Sequence, residues 1–109
     1  MIVKNESIGR QKAADGVERK ILARGGGLMM VEVFFEKGAV GAVHTHPHQQ
    51  VSYVLKGSFE LEMDGNKETI GAGDSFYVPS EAPHGVVALE ESAILDIFTP
   101  QRQDFFKSP

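Results

Sequence analysis

Apolar and polar residues alternate with a period of two along most of this chain. Met29, Val31, Val33 and Phe35 alternate with Met30, Glu32, Phe34 and Glu36, and Phe59, Leu61 and Met63 alternate with Ser58, Glu60 and Glu62. Successive side chains of a strand point to opposite faces, so each run predicts a β-strand with one face on a core. Val51, Tyr53 and Leu55 alternate with Ser52, Val54 and Lys56 in the same manner. Shorter strands are expected at Lys67–Ile70, Ser75–Val78, Gly85–Leu89 and Ala93–Phe98. Asp64-Gly65-Asn66 has the residue chemistry of a tight hairpin, and Gly25-Gly26-Gly27, Gly38, Gly57, Gly71, Gly73 and Pro79 punctuate the rest. A helical period is missing except for one turn near Gln101–Phe106. Many short strands between turn signals predict an all-β sandwich or barrel.

Length and composition narrow this picture. The 109 residues suit one domain with its own core, and 41% hydrophobic content is a globular value. The expected organisation is a single domain over 1–109 with its core at about 17–99. Residues 1–16 would be an edge strand or a segment pairing with a neighbouring subunit, and 100–109 a C-terminal tail. A net charge of -4 without a basic run argues against nucleic-acid and anionic-membrane partners. Arg19-Lys20, the longest basic cluster, reads as a solvated strand edge. With no cysteine there is neither a disulfide nor a thiolate metal site. No apolar leader core or membrane-length stretch is visible, so a cytoplasmic location is expected.

The chemistry concentrates in the histidines. The chain has four, His44, His46, His48 and His84. On a strand, His44 and His46 would share a face, and Gln50 has the same parity. His84 arrives from a second segment. Imidazole is a common ligand of transition metals, so His44, His46, His84 and the Gln50 amide oxygen form a candidate first shell for one divalent ion. Pro47 interrupts the strand before His48, which leaves that residue a supporting or rim position, or ordinary exposure.

These spacings resemble the cupins, small double-stranded β-helix (jelly-roll) barrels with a metal in the barrel mouth. Gly38, five residues, His44, Thr45, His46, three residues, Gln50, six residues and Gly57 follow the first cupin motif, with Gln in place of its Glu. Gly73, Pro79 and His84 follow the second, with Glu81 at its internal glycine and Ala88 at its asparagine. Longer phrases, among them Arg19-Lys20-Ile21-Leu22, His44-Thr45-His46-Pro47-His48-Gln49-Gln50 and Asp96-Ile97-Phe98-Thr99-Pro100-Gln101-Arg102, resemble the KdgF-like cupins of pectin and alginate breakdown. That resemblance implies an enzyme that linearises 4,5-unsaturated uronic acids. It implies a metal on His44, His46, Gln50 and His84, and a catalytic pocket lined by Asp96, Phe98 and Arg102. A homodimer is expected on family grounds and because pairing covers sheet edges.

Three histidines and an amide carry no charge, so a bound ion keeps nearly its full positive charge, which suits Lewis-acid work on a sugar acid. Asp96 is then the candidate proton shuttle, Arg102 the partner of the substrate carboxylate, and Phe98 the wall of the pocket. Ni, Zn, Mn and Fe all accept such a site. Another cupin enzyme, a dioxygenase or sugar isomerase, and a non-catalytic binder of small acids remain as alternatives.

Overall fold

The computed structural model describes residues 1–106, so the expected tail at 100–109 is seen as far as Phe106, and 107–109 lie outside the described residues. Ten strands follow one another: β1 (Gln11–Ala14), β2 (Val17–Gly25), β3 (Leu28–Phe35), β4 (Val40–His44), β5 (Gln49–Lys56), β6 (Ser58–Met63), β7 (Asn66–Gly71), β8 (Ser75–Val78), β9 (His84–Ala88) and β10 (Ser92–Thr99). Short 3-10 turns lie at Asn5–Ser7 and Gln103–Phe106, the second where one helical turn is expected. The strands form a six-stranded sheet in the order β1-β2-β3-β10-β5-β8 and a four-stranded sheet in the order β4-β9-β6-β7. All the pairings are antiparallel. Two antiparallel sheets packed face to face make the all-β cupin architecture that the periodicity and motifs suggest.

The inner faces of both sheets build the core. Val17, Phe35, Val54 and Ile94 of the larger sheet meet Phe59 and Ala88 of the smaller one. The Phe35 and Phe59 rings pack edge to face at 5.0 Å between centroids. The β6–β7 hairpin turns on Asp64 and Gly65, at φ 50° and 81°, the paired positive values of a type I′ turn. A second apolar group, Met29, Val31 and Phe98, is packed by Ile21 and Phe105. Among the described residues no helix is long and apolar enough to cross a membrane.

β5 runs against its own hydrophobicity. Gln50, Ser52 and Val54 are buried, whereas Val51, Tyr53 and Leu55 face outward. The inner face of this strand near its start belongs to a polar site, and the core claims only Val54.

Candidate metal centre

Two strands and a crossover deliver the three histidines. β4 ends at His44, which sits opposite His84 at the start of β9. The chain then leaves the smaller sheet through 45–48 and enters β5 of the larger one. His46 therefore lies on the crossover, and Gln50 lies on the opposite sheet. The expectation that His44 and His46 share one strand is not met, because β4 ends at His44 and the crossover folds His46 inward; a strand does resume after Pro47, as β5, and carries Gln50. Close approach of β4 and β9 depends on Gly85, where a Cβ would stand 2.8 Å from the Gly41 oxygen and 2.8 Å from the Val43 nitrogen. The backbone N–H of Glu81 donates to the His46 oxygen at 2.8 Å and braces the crossover. Glu81 does so at φ 65°, a left-handed conformation natural to the motif's glycine.

Ligand nitrogens of His44, His46 and His84 all lie within 4.8 Å of one another. Each Nδ1 faces a backbone carbonyl: His44 that of Ala42 at 2.9 Å, His46 that of His48 at 3.0 Å, and His84 that of Ala82 at 2.9 Å. A carbonyl only accepts, so each Nδ1 carries the proton and each Nε2 presents its lone pair. The Gln50 amide is oriented from its other end, its Nε2 donating to Ser52 Oγ at 2.8 Å and Asp96 Oδ1 at 3.2 Å. Its Oε1 then stands 3.0 Å from His46 Nε2. Two lone pairs at that distance repel unless a cation lies between them. Ligands bonded at about 2.1 Å and at right angles would stand about 3 Å apart. The donor set therefore fits a divalent transition metal. Burial pushes His46 below its ordinary pKa and His84 down to about 4, so both stay neutral and competent as ligands near pH 7.

The remaining candidates surround the same space. Asp96 and Phe98 lie on β10, opposite Ser52 and Gln50 of β5. Ser52 Oγ donates to Asp96 Oδ1 at 2.5 Å. Burial raises the Asp96 carboxyl to about 6, against the opposing effects of the Ser52 hydrogen bond, the Arg102 charge and the Gln50 hydrogen bond. Arg102 is 9% exposed and donates through Nε and Nη2 to Asp104 at 3.0 and 2.8 Å. Its Cζ lies 5.0 Å from the Phe98 ring centroid and 4.4 Å from that of Phe105. Asp104 takes one edge of the guanidinium and the rings flank it, which leaves the Nη1/Nη2 edge for a ligand. His48 is half-buried, its Nδ1 without a hydrogen-bond partner among the described residues and its ring edge-on to His46 at 5.5 Å. Gln49 is exposed and accepts from the Tyr77 hydroxyl at 2.7 Å, away from the ligands, as its parity suggests.

His44, Gln50, His84, Asp96, Phe98 and Arg102 share one cavity of about 210 Å³. At about 30 Å³ per water it holds roughly seven water molecules' worth of space, the scale of one sugar ring rather than a polymer. Arg19 also lines it, contrary to the expectation of a solvated edge. Its signal lay in the sequence: Val17, Arg19 and Ile21 share parity, so a charge interrupts an otherwise inward apolar face. Ser52 shares the parity of Gln50, and Asp104 gave no sign until the chain folded back on Arg102.

Two histidines of the smaller sheet, a third on the crossover and a glutamine of the larger sheet converge between the sheets as in a cupin, and the cupin domain model matches residues 31–98. The chain belongs to this family. Within it the chain is 44% identical over 97 residues to the pectin degradation protein KdgF of Dickeya dadantii, covering 87% of this chain and 88% of that protein. The structure of KdgF from Halomonas sp. superposes with a TM-score of 0.92 at 41% identity, over 96% of this chain and 97% of that one. An RmlC-like cupin from Shewanella frigidimarina gives a TM-score of 0.92 at 39% identity, over 95% and 94% of the two chains. The chain is a KdgF-family cupin.

Proposed function

We propose that this protein is a metal-dependent enzyme that opens and ketonises 4,5-unsaturated uronate monomers derived from pectin or alginate. One observation carries the reading. The Gln50 amide turns its oxygen toward the histidines and its nitrogen toward Asp96, coupling a neutral ligand set to a carboxyl group poised near pH 6. The relation to a pectin degradation protein supports the substrate class.

A divalent ion on His44, His46, Gln50 and His84 would supply Lewis acidity little diminished by its uncharged ligands, and Ni, Zn, Mn and Fe all suit the set. Arg102 binds the C6 carboxylate through its Nη1/Nη2 edge. Phe98 forms the apolar wall against the sugar. Ionised Asp96 takes the C1 hydroxyl proton. The C1 aldehyde forms as the C1–O5 bond breaks, its electron pair passing to O5 and leaving an enolate over C4, C5 and O5. Protonated Asp96 then returns the proton to C4, and C5 becomes the ketone. A group titrating near 6 can both take and give a proton at neutral pH, which a carboxyl of ordinary acidity does poorly.

The same reading takes the chain as one cupin domain and makes the protein a cytoplasmic homodimer. Val51, Tyr53 and Tyr77, 47–50% exposed on the outer face of β5 and β8, support contact with a second copy. The deciding experiment follows the ultraviolet absorbance of the enol-ether double bond of an unsaturated galacturonate monomer. Protein-dependent loss, abolished by a chelator and restored by added metal, is expected. No acceleration over the spontaneous reaction by metal-loaded protein would refute the function and favour a small-acid binding module.

A further inference from the structure

Arg19 has an unusual position for a charged residue. It projects inward from β2 between buried Val17 and Ile21, which packs on Met29, Val31 and Phe98. Its Nε donates to Gln11 Oε1 at 3.2 Å, and its Cζ lies 3.7 Å from the Phe105 ring centroid. Arg102 approaches the same ring. Two guanidinium ions thus share one aromatic side chain at the edge of one cavity. Arg102 has the Asp104 carboxylate, whereas among the described residues no carboxylate lies within ion-pair distance of Arg19. Burial, and then the positive charge of Arg102, push Arg19 below its ordinary pKa, against the opposing effect of the Asp104 carboxylate. Asp104 is one carboxylate beside two guanidinium ions, so the pair keeps an excess positive charge that favours a further anion between or beside them.

We propose that Arg19 is a second substrate-binding cation of the mouth, directed at the oxyanion that develops beside the carboxylate as the ring opens. The inference rests on the proposed reaction. An unsaturated uronate enters with one negative charge, on C6. When Asp96 removes the C1 proton and the C1–O5 bond breaks, the negative charge passes to O5, on the carbon next to the carboxylate. The reacting species then carries two anionic groups on adjacent carbons. The single open edge of Arg102 serves the carboxylate, and the Nη groups of Arg19 are left for O5. The pair of arginines selects carboxylates bearing an enolate or keto oxygen on the adjoining carbon over simple uronates. Because the second charge exists only after bond breaking begins, Arg19 acts on the transition state more than on the bound substrate.

The test compares wild type, Arg19→Gln, Arg19→Lys and Arg102→Gln, all metal-loaded. It measures kcat and KM on the unsaturated galacturonate monomer, calorimetric affinity for unreactive galacturonate, and the melting temperature. Arg19→Gln should lower kcat about 100-fold, the scale of losing one donor to a developing oxyanion. Its KM and galacturonate affinity should stay within about twofold, and Arg19→Lys should recover part of kcat. Arg102→Gln should instead weaken galacturonate binding at least about tenfold. Unchanged kcat in Arg19→Gln, or a loss mirrored in galacturonate affinity, overturns the proposal. So does parallel loss of melting temperature and kcat in both Arg19 variants, which would make Arg19 a prop for Phe105. A wild type that turns over no unsaturated monomer refutes the functional reading itself, and this inference with it.

Discussion

Asp96→Asn should remove activity while stabilising the metal-free protein at neutral pH. Asparagine keeps an Oδ1 that accepts from Ser52 and Gln50, so both hydrogen bonds to Asp96 survive. What disappears is a carboxyl group whose ionisation the fold opposes, raised from 3.8 to about 6 by burial. Between those values the folded chain keeps a proton that the unfolded chain has lost, so stability falls as pH rises. The contribution is full below pH 3.8 and gone above about 6. At about 1.4 kcal/mol per pH unit the interval is worth at most about 3 kcal/mol. His84 works in the opposite direction. Its imidazole, held at about 4, refuses a proton that the unfolded chain takes near 6.5, so stability is lost as pH falls through that range. That contribution is common to both proteins and cancels in their difference. Urea unfolding of chelator-treated wild type and variant should show little difference at pH 4, growing toward about 3 kcal/mol in favour of the variant by pH 7. Turnover should meanwhile fall by about 10²–10⁴. A variant less stable than wild type at pH 8, or a difference that ignores pH, would refute the account of Asp96 as a buried carboxyl maintained for its chemistry.

Gln50→Glu keeps an oxygen for the metal but sets a carboxylate against Asp96 Oδ1, now 3.2 Å from the amide nitrogen. Turnover should drop at least about tenfold with metal content preserved, as elemental analysis beside progress curves would show. Gly85→Ala drives a Cβ into the Gly41 and Val43 backbone and should cost about 1–3 kcal/mol in thermal unfolding, with faster loss of metal on dialysis. Asp104→Ala releases the Nε/Nη2 edge of Arg102 and should raise KM about tenfold with a smaller effect on kcat, while Asp104→Glu retains most of the affinity.

The architecture was legible because strand periodicity and turn chemistry are local, and Asp64-Gly65 is a clear instance. The histidine set was legible from its spacing, though for an incomplete reason. Parity suggested that His44 and His46 share a strand face and that Gln50 joins it on a strand resuming after Pro47, whereas the crossover at 45–48 joins two sheets and no strand parity passes through it. β5 hid its orientation because its apolar residues point outward and its polar ones serve the site. Arg19 was misread for the converse reason. Arg19-Lys20 is a charged pair when read consecutively, and only every second residue of a strand reveals that Arg19 belongs with Val17 and Ile21. Asp104 was beyond sequence reasoning, since its pairing depends on how the chain turns after β10.

His46 of the crossover and the polar side chains on the inner face of the six-stranded sheet form a connected series. His46 faces the oxygen of Gln50, the nitrogen of Gln50 donates to Ser52 and Asp96, and Ser52 donates to Asp96 again. An amide suits the middle of this series because it offers an acceptor at one end and a donor at the other. A glutamate there would offer two acceptors and would face the Asp96 carboxylate across 3.2 Å. The departure from the first cupin motif at Gln50 therefore has two consequences from one substitution. It leaves the donor set uncharged, and it supplies the N–H group that hydrogen-bonds the Asp96 carboxyl beside that set, the arrangement on which the proposed proton exchange rests.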